Sequence, residues 1–450
     1  MLVNLKRPYD KSWSKRRTNY FAFFTARLDD FLFEKEEDVV IYVAGVKRTL
    51  TPVFKLCKNL IHVPFYVDKA QEVGSYMWTI RIDKSMLEPG FYDVEIEADQ
   101  GDGTKMQGYC TFGYDIVHQN RQPNRPADFE QFWGQSLERL EGVALDPKFG
   151  EVTVYRGKQV DDYNVAQASI PCNYDPKGCL YDEVESYEVS FNSVDGLRIH
   201  GWLAKPVVKK ESANCQTAAQ KFPAMLVLPG AGYADRSRPL EHARHGYIAL
   251  DIQVHGQELE KEQYEQTQVS IDYEDPAFRQ KHYYNSIYLH CVQAINYLCS
   301  REDVDQKRIV TAGGSQGGRL SLTTAALDKR VTAVVAGIVH YADIPYLQWA
   351  REVNERGENG TEKPFAYTNS ERMKGAAYYD VLNFAQDIQC PVMINGGLID
   401  TISPPGGIAA LYQYIGSREK HLKYMANMAH DWSYQFDIEA WKWLGKVFAE

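Results

Sequence analysis

The chain has 450 residues, more than one ordinary hydrophobic core organises, so two or three domains are expected. Apolar residues make up 44% and charged residues 24%, the balance of a globular protein, and no apolar run reaches the length of a membrane helix. The formal net charge of -10, with basic residues clustered only near the start (Lys6, Arg7, Lys11, Lys15, Arg16, Arg17), argues against nucleic acid as a partner.

Residues 1–120 read as β structure. Val39-Val40-Ile41-Tyr42-Val43, Met77-Trp78-Thr79-Ile80-Arg81-Ile82 and Tyr92-Asp93-Val94-Glu95-Ile96-Glu97 are short, partly alternating strands, and Glu88-Pro89-Gly90 is a turn before the last. Strands of this length and spacing predict a small immunoglobulin-like sandwich. A polar, proline-containing stretch from His118 to Pro126 is the expected linker to a second domain, residues 121–450. There Phe129, Phe132, Trp133, Leu137 and Leu140 recur near the helical period behind Asp128. Strands are expected at 151–159, 163–170, 184–192 and 197–205, with Asp195-Gly196 turning between the last two.

From Pro223 the pattern changes. The runs 224–228, 247–251, 308–312, 331–335 and 391–395 are apolar without alternation and are separated by helical stretches. That pattern fits a mostly parallel sheet covered by helices on both faces. The eight cysteines have no CxxC spacing, so no zinc or dithiol site is expected. Cys172 and Cys179 flank a loop and could pair in an oxidising compartment, but ordinary thiols are the preferred reading. Residues 20–26 are apolar but lack a cleavage pattern, so a cytoplasmic setting is expected, with a periplasmic or secreted one as the alternative if a leader has been removed.

The chemistry centres on Gly313-Gly314-Ser315-Gln316-Gly317-Gly318. A Gly-x-Ser-x-Gly match alone is weak. Here it follows an apolar β run and precedes a helix-like stretch, the setting of a nucleophile elbow. Gly313 and Gly317 would let strand and helix approach closely, and the helix N-terminus would supply the N–H of Gln316 to an oxyanion. A serine hydroxyl needs a base, and the base needs an orienting acid. Of the downstream histidines, His340 comes too early for the order Ser, acid, His, and His421 sits among charges. His430, before the last helix, is the expected base. Asp400, in the loop after 391–397, is the expected acid. Pro229-Gly230-Ala231-Gly232-Tyr233 follows an early strand, and Ala231 is the expected second oxyanion donor.

At this point the segments resemble the acetyl xylan esterases and cephalosporin C deacetylases of carbohydrate esterase family 7. The likeness rests on the serine motif and on Pro126-Ala127-Asp128-Phe129-Glu130-Gln131-Phe132-Trp133. It rests also on Asp195-Gly196-Leu197-Arg198-Ile199-His200-Gly201-Trp202-Leu203, and on the stretch from Tyr378-Tyr379-Asp380 through Gly397-Leu398-Ile399-Asp400 to Pro404-Pro405. It implies an α/β-hydrolase three-layer sandwich, the triad Ser315, Asp400 and His430, no metal or cofactor, and removal of acetyl groups from sugars. A peptidase or other acyl hydrolase on the same fold, and a carbohydrate-binding protein with a vestigial site, are the alternatives. The family's ring-like assembly implies a homo-oligomer, which the extra β-domain is expected to alter. Three positions depart from the family pattern. His255-Gly256-Gln257 stands for Arg-Gly-Gln, Asp431 for the Glu after the histidine, and Pro229-Gly230-Ala231 for His-Gly-Tyr. The first two changes suggest a direct polar contact between His255 and Asp431.

Overall fold

The computed structural model describes residues 20–28, 30–45, 51–166, 179–208, 220–231, 236–255, 283–360, 371–431 and 433–449, and the elements below are those of the described residues. The N-terminal part folds into two sheets over a shared core. One takes β1 (Phe21–Phe24), β3 (Val39–Gly45), β6 (Gln71–Gly74) and β7 (Met77–Ile82) in the order β1-β3-β7-β6. The other takes β2 (Leu32–Phe33), β4 (Val53–Lys58), β5 (Tyr66–Lys69), β8 (Gly90–Asp99) and β9 (Lys105–Tyr114) in the order β2-β9-β8-β4-β5. All pairs are antiparallel except β2 with β9. Alternation does the work: Val39, Ile41 and Val43 of β3 and Val94 and Ile96 of β8 point into the same core.

After a 3₁₀ turn at Ile116–His118, the chain runs extended to α1 (Phe129–Glu141). Phe129, Phe132 and Trp133 bury one face of that helix against Tyr378, Tyr379 and Phe384. β10 (Lys148–Phe149) and β11 (Thr153–Arg156) then pair with β12 (Glu183–Asn192) at the sheet's edge. Two expectations fail here. The strand expected at 151–159 is limited to Thr153–Arg156, and the one expected at 163–170 is α2 (Lys158–Ala166) up to residue 166. The apolar spacing is three, not two: Val160 and Tyr163 pack together on Leu240 and Ala243. Residues 167–178, with Cys172, lie outside the described residues.

The large sheet continues through β13 (Arg198–Pro206), β14 (Phe222–Leu228), β15 (Ile248–Gln253), β16 (Val304–Gly314), β17 (Ala333–Gly337), β18 (Val392–Gly397) and β19 (Lys420–Met425). Its order is β10-β12-β13-β15-β14-β16-β17-β18-β19, parallel from β15 to β19. Between strands lie α3 (Leu240–Arg244), α4 (Tyr283–Cys299), α5 (Gln316–Leu327), α6 (Ile344–Arg356), α7 (Glu371–Ala376), α8 (Pro405–Tyr414) and α9 (Tyr434–Val447). Successive residues of each central strand face opposite layers. Leu226, Ile309, Val334 and Ile394 meet α1, α4, α5 and α8, while Met225, Val310, Val335 and Met393 meet Phe436, Trp443 and Leu444 of α9. This is the α/β-hydrolase three-layer sandwich, and it explains the runs without alternation, since neither face is wet. Among the described residues no helix is long and apolar enough to cross a membrane.

Candidate active site

Ser315 joins β16 to α5 with φ 59° and ψ -119°, a left-handed backbone that a side-chain-bearing residue adopts only under constraint. The constraint is visible. Its N–H donates to the Gly337 carbonyl at 2.9 Å, and its carbonyl accepts from the N–H groups of Arg319 and His340, both at 3.2 Å. A Cβ at Gly317 would collide with the Leu228 carbonyl, and one at Gly313 would meet the same oxygen. Both glycines thus let α5 start directly against the end of β14, with the serine at the apex.

Asp400 follows β18 and is fully buried. Its Oδ1 accepts the N–H groups of Ile402 at 2.8 Å and Ser403 at 2.9 Å, which fixes the rotation of the group and presents Oδ2 to the imidazole. His430 Nδ1 lies 2.8 Å from that Oδ2, and Nε2 lies 2.9 Å from Ser315 Oγ. A carboxylate can only accept, so Nδ1 carries the proton and the Nε2 lone pair accepts from the serine hydroxyl. The geometry brings together all three residues expected as the triad.

The side of Ser315 where the oxyanion donors are expected is built from two segments. Gln316 opens α5, where the first N–H groups have no intrahelical acceptor. Its buried side chain spans to the other segment: Nε2 donates to the Gly230 carbonyl at 3.3 Å, and Oε1 accepts the Tyr284 hydroxyl at 3.1 Å. Ala231 lines the same pocket as Ser315 and His430, a cavity of about 460 Å³ whose wall also includes Leu228, Ile338, Arg236, Arg238 and Asp251. Arg236 pairs with Asp251, and Arg238 lies over the Trp202 ring at 3.8 Å from its centroid. Burial pushes the Asp251 carboxyl up to about 6, against the pull of Arg236.

The family model of acetyl xylan esterase (AXE1) matches residues 163–447 of this chain. The acetyl esterase Axe7A of Xylanibacter ruminicola is 31% identical over 332 residues, 71% of this chain and 66% of that protein. This chain therefore belongs to the acetyl xylan esterase family. Its match spans just under two thirds of the length of that relative. The fold is shared with an acetyl xylan esterase from Paenibacillus sp. R4, at 21% identity, TM-score 0.55, and coverage of 74% of this chain and 98% of that one. It is shared also with acetyl xylan esterase 1 from Thermoanaerobacterium sp. JW/SL YS485, at 20% identity, TM-score 0.52 and the same coverages.

In this member of the family, the expected contact between His255 and Asp431 is not formed. His255 is buried past the end of β15, its Nδ1 bonded to the Tyr283 hydroxyl and its ring stacked on that tyrosine, 5.6 Å between centroids. Burial, aided by His290, Arg236 and Arg319, pulls its value down to about 3, so the imidazole is neutral and offers Asp431 no charge. Asp431 is exposed, with its backbone N–H on the Ala429 carbonyl. Gln257, Gly232 and Tyr233 lie outside the described residues.

Other residues at the site were not singled out from sequence. His340, set aside by chain order, lies beside Ser315 through its backbone, and its Nδ1 donates to the Ile402 carbonyl at 3.1 Å. Arg319 sits one turn into α5, fully buried, its guanidinium 3.9 Å from the ring centroid of Tyr284 and 4.8 Å from that of Tyr341. An arginine in the first apolar turn after a nucleophile was the available signal. Among the described residues, Cys179, Glu241 and His245 have potential metal-ligand atoms within 4.8 Å of one another. Within this group the Cys179 thiol donates to Glu241 Oε1 at 3.3 Å, and His245 Nδ1 donates to the Glu241 carbonyl at 2.9 Å.

Proposed function

We propose that this chain is a serine esterase that removes acetyl groups from sugar hydroxyls through a Ser315–His430–Asp400 triad and an acyl-enzyme. The observation that carries the reading is the continuous relay from Asp400 to His430 to Ser315, with 2.8 Å and 2.9 Å links, opening on the pocket. The family's named activities support the acetyl ester as substrate class.

Ser315 Oγ attacks the ester carbonyl as His430 Nε2 takes its proton. Asp400 holds the imidazole and stabilises the imidazolium. The developing oxyanion is received by the N–H of Gln316 and by the Ala231 segment. His430 returns the proton to the departing sugar oxygen. Water, activated by the same imidazole, then releases acetate and restores the serine. Arg238 over Trp202 offers a flat, polar-edged wall suited to a sugar ring.

The test is acetate release from acetylated xylo-oligosaccharides, compared with longer-chain acyl esters and aminoacyl amides. Ser315→Ala and His430→Ala are each expected to lower kcat by at least roughly 10³-fold, because triad members act as a unit. A fluorophosphonate probe is expected to label wild type and not Ser315→Ala. Substantial acetyl-ester turnover by Ser315→Ala would sink the mechanism. Faster cleavage of aminoacyl amides would move the substrate class to peptides.

A further inference from the structure

The acid and base loops leave the large sheet at β18 and β19, next to its edge, where solvent would ordinarily cover them. Here the N-terminal domain covers them instead. The strand β9 is buried on both faces from Gly108 to Tyr114. Met106, Cys110 and Phe112 point into the domain's own core, and Tyr109, on the opposite face, is buried against Ile399 and Ala429. Ile399 immediately precedes Asp400, and Ala429 immediately precedes His430. One aromatic ring from another domain therefore shares a buried cluster with the residue before the acid and the residue before the base.

The neighbours repeat the arrangement. Leu398 and Ala409 belong to the buried cluster of the N-terminal domain rather than to that of the large sheet. The Phe91 ring of β8 meets Tyr424 edge-on at 5.5 Å between centroids, and the Tyr424 hydroxyl donates to the Pro405 carbonyl at 2.6 Å. The two loops are joined by their own backbones: Leu398 N–H donates to Met425 at 3.1 Å and Ile399 N–H to Met428 at 3.2 Å. Gly397 lies so close to the Met428 and Ala429 carbonyls that a Cβ there would collide with both. A second, separate contact holds the domain in place elsewhere. There Leu60 and Ile61 pack on Tyr346, Trp349 and Val353 of α6, and the Tyr346 hydroxyl donates to the Asn59 carbonyl at 2.7 Å.

We infer that Tyr109 of the N-terminal β-domain is a positioning residue that clamps the Asp400 and His430 loops together. The inference rests on the triad reading above. A catalytic group displaced by about 1 Å can lose about 10²-fold in rate. Removing the Tyr109 ring takes away a buried contact that the two loops share, so the loss falls on turnover and not on substrate binding.

The experiment uses the full chain and measures kcat, KM, the rate of fluorophosphonate labelling at Ser315, and the melting temperature. Tyr109→Ala is expected to lose at least about 10-fold in kcat with KM within about twofold, and labelling slows in proportion. Tyr109→Phe, which keeps the ring, is expected to restore both. Ile61→Ala, at the second contact, is expected to lower the melting temperature with kcat unchanged. Should Tyr109→Ala not fold, Tyr109→Leu carries the test, with an expected loss of about threefold. The inference is overturned if Tyr109→Ala melts earlier but keeps wild-type kcat and labelling, or if Ile61→Ala loses kcat equally. Wild type that is not labelled at Ser315 overturns the triad reading and this inference together. Wild type that is labelled, with a Tyr109→Ala variant labelled as fast, overturns this inference alone.

Discussion

At the scale of residues, the side chain of Gln316 spans the two halves of the proposed oxyanion site, with Tyr284 behind it and Gly230 ahead. Gln316→Ala keeps the backbone N–H proposed to receive the charge and loses only this brace. The expected cost is about 10-fold in kcat, less than the 10²–10³-fold of a deleted oxyanion donor. KM for p-nitrophenyl acetate should stay within about twofold, since the brace matters to the tetrahedral state. Equal losses in kcat and 1/KM would show that the side chain binds substrate instead. The grouping of Ser315, His430 and Asp400 was legible in sequence because chemistry restricts the residue types of the proposed triad and the fold restricts their order. His255 was not legible. Its partner, Tyr283, lies 28 positions away and is brought to it by packing alone. Charge complementarity was a poor guide there, because burial removes the charge on which the expected pairing depended.

At the scale of elements, Arg121 fastens the segment between the two domains to α6. Its guanidinium lies 3.5 Å from the Tyr346 ring centroid and donates to Asp343 Oδ2 at 3.1 Å, and Asp343 caps α6 by accepting the Tyr346 N–H. Both partners of the ion pair are buried. Burial raises the Asp343 carboxyl, and Arg121 opposes that shift. Arg121→Ala leaves a buried acid with its main counter-charge gone, so a loss of about 3–5 kcal/mol in urea unfolding is expected. Arg121→Lys should recover little, because an ammonium lacks the planar face that lies on Tyr346. Full recovery with lysine would mean that charge alone matters. The pair was not signalled in sequence, since Arg121 and Asp343 are 222 positions apart. The central strands were legible for the opposite reason: burial on both faces writes itself as an uninterrupted apolar run. From Gly108 to Tyr114 β9 is also buried on both faces, but its run is broken by Gly108, Thr111 and Gly113. β5 and β6 are largely exposed and polar and give no pattern at all.

At the scale of the whole molecule, buried titratable groups of opposite tendency set the response to acid. Burial pulls His242 down to about 3, His255 to about 3 and His290 to about 4. Each is neutral in the fold and takes up a proton on unfolding anywhere below its ordinary value of about 6.5. The stability they contribute is present above that value and lost as pH falls. Asp251, raised to about 6, and Asp380, raised to about 7 by burial and by Asp343, act the other way. Each holds a proton in the fold that it releases on unfolding above about 4, so its contribution is present in acid and lost as pH rises through the folded value. Between pH 4.5 and 6 the three histidines outweigh Asp251 and Asp380, so stability falls on acidification. Near neutrality the tendencies cancel, which places maximal stability close to pH 7. His290→Asn removes one of the three proton acceptors, at a site where the imidazole Nδ1 meets the Ser193 hydroxyl at 2.7 Å. The variant should be less stable at pH 7, yet its urea midpoint should change little between pH 6 and 4.5, where wild type falls steeply. Parallel pH profiles for the two proteins would mean that the acid response arises at the surface rather than in the core.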